Sequence, residues 1–119
     1  MRKILSAALV LAFAGAQAAP LPAPARAEVD ALMARLQSSG CQFNRNGSWY
    51  SGPEAKAHLL RKLEYLENKD MVKNAEQFID LGAATSSFSG KPYLVKCGAA
   101  APVESKAWLT AELKAIRAR

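Results

Sequence analysis

The chain has 119 residues, half of them hydrophobic, with sixteen lysines and arginines against ten acids and a formal net charge of +6. That length allows one small domain with a modest core. The basic residues are interleaved with acids (Arg61 and Lys62 near Glu64 and Glu67, Lys69 beside Asp70, Lys73 near Glu76), which reads as a solvated surface of mixed sign. Such a surface argues against nucleic acid as a partner and leaves weak attraction to anionic glycans, lipids or acidic clefts.

Residues 1–18 have the pattern of an export signal. Arg2 and Lys3 give a positive start, an apolar run of roughly 13 residues follows from Ile4 to Ala16, and Ala16-Gln17-Ala18 offers an A-x-A site cleaved between Ala18 and Ala19. The run is short of the ~20 residues that span a bilayer as a helix. The expectation is a periplasmic or secreted protein, not membrane-spanning once the signal is removed.

Residues 19–25 (APLPAPA) read as an extended Pro/Ala spacer. A single domain over 26–119 follows. From Ala25 to Ser38, Val29, Leu32, Met33 and Leu36 recur at helical spacing on one face, and Gly40 closes that helix. Residues 42–50 carry Asn46-Gly47, the preferred pair for a two-residue hairpin turn that needs positive φ at both positions. Ser51-Gly-Pro-Glu54 reads as a capping box opening a second helix with Ala55, Leu59, Leu63 and Leu66 inward. Asn74 caps a third, with Ala75, Phe78, Ile79 and Gly82 inward. A hydroxyl-rich loop runs from Thr85 to Pro92, a short strand covers 93–97, and after a linker Ser105 caps a last helix facing inward through Leu109, Leu113 and Ile116.

The fold class expected is α+β: three to four helices on a small antiparallel sheet made by the hairpin 42–50 and strand 93–97. In an exported chain the two cysteines, Cys41 and Cys97, are expected to pair. The loop so closed is about 57 residues, worth roughly 4 kcal/mol in the chain-entropy model.

Cys41-Gln-Phe-x-Arg-Asn-Gly-x-Trp-Tyr50, Ala57-His58-Leu59 with Lys62-Leu-Glu-Tyr-Leu66, Ala75-Glu-Gln-Phe-Ile79, and Ser86-Ser-Phe-Ser-Gly-Lys-Pro-Tyr-x-Val-x-Cys97 occur in that order. Together they resemble the YfeK-like family of small secreted proteins of Gram-negative bacteria, over about residues 28–116. The resemblance implies a periplasmic protein with paired cysteines and, the family being a domain of unknown function, says nothing of its chemistry.

Three places could carry function. His58, the single histidine, lies on a flank of the second helix with Glu54, Arg61 and Tyr65. It is a boundary residue bonded to the hairpin, or a general base acting on Ser87 or Ser89. One imidazole and two oxidised thiols leave no metal set, and no cofactor fingerprint is present. Arg45, Trp49 and Tyr50 flank the hairpin tip, either as a stacking surface or with Trp49 as the apolar plug of the sheet. The loop with Ser87, Ser89, Lys91 and Tyr93 is the best binding candidate. Its Ser89-Gly90-Lys91-Pro92-Tyr93 fits S-G-x-x-Y, found in loops of periplasmic lysozyme inhibitors, or is simply a turn feeding the strand.

With no complete catalytic set, the expectation is a non-catalytic binding protein of the cell envelope using the 85–93 loop, its partner an envelope protein or glycan. The alternatives are an inhibitor of a cell-wall hydrolase, or a small envelope hydrolase built on His58 and a loop serine.

Overall fold

The computed structural model describes residues 20–118. The export signal and its cleavage point between Ala18 and Ala19 lie outside the described residues. Helix α1 (Ala23–Ser38) buries Val29, Leu32, Met33 and Leu36 along one face. It starts earlier than its apolar spacing predicts. Pro24 fits the first turn, where a missing N–H costs nothing, and the segment before it is no idle spacer. Leu21 is buried, and its backbone N–H donates to Glu67 Oε2 at 2.8 Å.

Past Gly40, whose φ of 75° turns the chain, strands β1 (Gln42–Arg45) and β2 (Ser48–Tyr50) form the hairpin. Asn46 and Gly47 take φ of 53° and 88°, as a primed turn requires. Helix α2 (Gly52–Asn68) opens on the full capping box, with Ser51 Oγ accepting from the Glu54 backbone N–H and Glu54 Oε1 accepting from the Ser51 N–H. Helix α3 (Ala75–Phe78), capped by Asn74, widens directly into a π-helical turn over Ile79–Ala83. Strands β3 (Leu94–Lys96) and β4 (Val103–Glu104) follow, then helix α4 (Ser105–Arg117).

The four strands form one antiparallel sheet in the order β2-β1-β3-β4. The α+β class therefore holds, with β4 added between the expected 98–102 linker and the last helix. Leu94 pairs with Glu104 and Val95 with Val103, and the Ser105 N–H donates to the Tyr93 carbonyl at 2.8 Å. Ser105 is thus a first-turn residue, and Glu104 holds the cap position.

Helices α1, α2 and α4, the α3 turn and the inner face of the sheet enclose the core, in which Phe78, Leu32, Met33, Leu36, Leu63 and Leu109 are the largest fully buried side chains. The sheet's plug is Phe43, packed edge-on to Trp108 with ring centroids 5.8 Å apart. It is not Trp49, which pairs with Asn44 on the outward face and stays 41% exposed. Strand alternation decides this: Tyr50, not Trp49, shares a side with Phe43.

The Cys41–Cys97 disulfide is formed, tying the exit of α1 to the end of β3. Between the helices, Arg117 of α4 reaches Glu28 of α1 at 2.7 Å and Glu76 of α3 at 2.6 Å, and Arg35 bonds Glu112 at 3.0 Å.

Candidate functional site

The 85–93 loop is held from inside by one buried hydroxyl. Ser86 Oγ accepts from the Phe88 and Ser89 backbone N–H groups at 3.1 and 3.2 Å and from Asn46 Nδ2 at 3.2 Å. Its backbone N–H donates to the Lys91 carbonyl, and the Gly90 N–H returns to the Ser86 carbonyl. Gly90 has φ of 75°, a conformation that glycine adopts without a side-chain penalty. Ser89 Oγ donates to Asn46 Oδ1 at 2.5 Å. The turn residue of the hairpin therefore buttresses the loop through both ends of its amide.

Pinned this way, the loop presents its tip. Phe88 is 94% exposed, and Ser87 and Lys91 are exposed beside it. Tyr93 is not presented. It is 7% exposed and turned into the protein, so the S-G-x-x-Y segment shows its serine and lysine but not its tyrosine.

Behind the loop, between α2 and the sheet, two adjoining grooves of about 270 and 370 Å³ share Arg45, His58, Arg61 and Tyr93 as walls. Tyr93 connects the elements. Lys62 Nζ donates to its hydroxyl at 3.2 Å and to the Thr85 carbonyl at 3.1 Å. His58 Nε2 lies 3.1 Å from the same hydroxyl. The phenol joins the lysine and the imidazole through one oxygen. His58 thus meets Tyr93, neither the hairpin backbone nor a loop serine. Ser87 lines the second groove, and Ser89 is bonded to Asn46.

The electrostatics follow from the company these groups keep. Burial, then the cations Arg45, Lys62 and Arg61, push His58 down to about 4, so its ring is neutral at ordinary pH. Burial, then Arg45, also pulls the Lys62 ammonium below its usual range. Burial holds the Tyr93 phenol above its usual value. Arg45 lies over the Tyr50 ring at 4.9 Å and Lys62 over Tyr93 at 5.0 Å. So the stacking surface joins Arg45 with Tyr50 and leaves out Trp49.

Sequence reasoning missed Lys62, Ser86, Asn46 and Phe88. The α2 flank was legible, since 54, 58, 61, 62 and 65 recur at helical spacing. What misled was linear proximity of charge. Glu67 accepts from the Leu21 N–H and faces Arg26, while Arg45, Arg61 and Lys62 make no ion pair among the described residues. Also among the described residues, no helix is long and apolar enough to cross a membrane, and no group of three or more His, Cys, Asp or Glu could hold a metal ion.

The fold and grooves describe a small disulfide-tied α+β domain with a cationic cleft and a rigid aromatic loop. Residues 23–117 match the DUF5329 family, a family of unknown function, and the chain belongs to it. It is 37% identical over 94 residues to the uncharacterized protein YfeK of Salmonella typhimurium strain LT2, covering 78% of this chain and 77% of that one. No solved structure matches it.

Proposed function

We propose that the protein is a non-catalytic binding protein of the cell envelope whose contact surface is the tip of the 85–93 loop. The observation that carries this is Phe88, 94% exposed on a loop locked by Ser86 and Asn46. An aromatic side chain held out on a rigid loop pays little ordering entropy when it inserts into a partner, which is how interface anchors work. The neighbouring Lys91 and the groove cations favour an acidic partner surface. A hydrolase built on His58 has less support, because its ring bonds Tyr93 and faces cations, and no carboxylate orients it as a base.

The test is affinity capture from a periplasmic extract, comparing wild type with Phe88→Ala and with Lys106→Gln. Lys106 pairs with Asp80 and lines neither groove. A partner retained by wild type and Lys106→Gln but lost by Phe88→Ala supports the reading. Identical captures by wild type and Phe88→Ala remove it.

A further inference from the structure

The walls of the grooves carry three cations, Arg45, Arg61 and Lys62, against one carboxylate, and that limits what they can hold. Neither Arg45 nor Arg61 bonds an acceptor among the described residues, though both line the grooves. Lys62 spends two of its three protons on Thr85 and Tyr93, and His58 Nδ1 has no hydrogen-bond partner among the described residues. The one carboxylate in the lining, Glu54, is turned to the helix start, its Oε1 accepting from the Ser51 N–H and hydroxyl at 2.9 and 3.0 Å. Beside these cations, Phe43, Tyr50 and Leu59 add apolar wall to the first groove, with Arg45 stacked on the Tyr50 ring.

We propose that the groove between α2 and the sheet binds a small amphiphilic organic anion. Its aromatic or aliphatic body lies against Phe43, Tyr50 and Leu59, and its carboxylate or phosphate head lies among Arg45, Arg61 and Lys62. Guanidinium forks match such heads in a bidentate fashion. The two volumes together fall in the range of roughly 300–1,000 Å³ typical of small-molecule sites. A bound anion would also relieve the crowding of three cations around a neutral imidazole. The cations and the apolar wall lie on α2 and the sheet, while Ser87 and Phe88 of the loop border the second groove.

Nuclear magnetic resonance titration of the purified, disulfide-intact protein tests it, with five probes: phenyl phosphate, benzoate, inorganic phosphate, benzyl alcohol and phosphatidylglycerol vesicles. Saturable shifts centred on Tyr50, His58 and Tyr93 are expected with phenyl phosphate and benzoate. Inorganic phosphate and benzyl alcohol should bind at least about tenfold more weakly, each lacking half of the recognition. The double substitution Arg45→Gln, Arg61→Gln should weaken phenyl phosphate by about tenfold or more while Lys106→Gln leaves it unchanged. The single variants serve if the double one does not fold.

Equal binding of benzyl alcohol would overturn the proposal by showing a plain apolar pocket. Shifts spread equally to Lys96 and Lys114 would overturn it by showing unspecific attraction to positive charge. Binding to vesicles only would assign the cations to a membrane surface instead. No saturable binding up to about 10 mM, a dissociation constant weaker than specific sites show, would also sink it. Because Phe88 borders the second groove, phenyl phosphate is titrated into Phe88→Ala as well: unchanged binding there beside a lost partner separates the two readings.

Discussion

At the scale of single residues, Lys62 and His58 meet on one tyrosine. Tyr93 hydrogen-bonds both, while burial and the cations Arg45, Lys62 and Arg61 keep the histidine neutral. The neutral state has a consequence for stability. In the unfolded chain His58 titrates near 6.5, in the folded protein near 4. Between those values the unfolded state holds a proton that the native state lacks. Native stability therefore falls as pH drops from 6.5 toward 4. Glu28, Glu54 and Glu76, each held below its ordinary 4.5 by hydrogen bonds, act in the same direction at lower pH. Denaturation midpoints measured from pH 6.5 to pH 5 should thus report uptake of up to about one proton on unfolding. His58→Gln should flatten that slope, and an unchanged slope would mean that the ring is charged in the fold.

At the scale of elements, the parts with local signals were legible. The Asn46-Gly47 turn, the Ser51–Glu54 box, the Asn74 cap and the apolar face of α1 each lie within a few neighbouring residues, and each is where its pattern predicts. Parts that exist only through distant pairing were not. Strand β4 is two residues long and is a strand because Leu94 and Val95 are there to pair with it. The face of Trp49 depends on strand parity, and the His58–Tyr93 contact spans 35 residues. The candidate site divides the same way: the α2 flank follows from helical spacing, while the charge balance around it depends on which acids have been taken elsewhere. One close approach between elements has a measurable cost. A Cβ at Gly52 would sit 2.7 Å from the Gln37 and Leu36 carbonyl oxygens, backbone atoms at the end of α1. Gly52→Ala should therefore force α1 and α2 apart and destabilise the fold by about 1–3 kcal/mol, read by chemical denaturation. A neutral result would mean that the helix junction yields freely.

At the scale of the whole molecule, the disulfide and the Arg117 clasp both tie one core together. The bond encloses β1, β2, α2, α3 and β3, while α1 and α4 lie outside the loop and pack on each other. Replacing both cysteines by serine should cost roughly 2–5 kcal/mol, measured by denaturant titration. The loss should fall on the base of the loop and the hairpin together, because Cys97 follows β3 and Cys41 precedes β1. Phenyl phosphate and partner binding should then weaken in the cysteine-free protein even where helical circular dichroism survives.

The same enclosure governs how the molecule carries tension. Force applied at the two chain ends enters through α1 and α4, meets the Arg117 clasp first, and then passes straight through the sulfur bridge. The 56 residue steps between the cysteines are thereby withheld, about 190 Å of extension at about 3.4 Å per residue. Those steps include the hairpin, the groove and the loop. Mechanically the domain is a slack bag drawn shut at the neck, and its binding surfaces lie inside the neck, out of the line of pull.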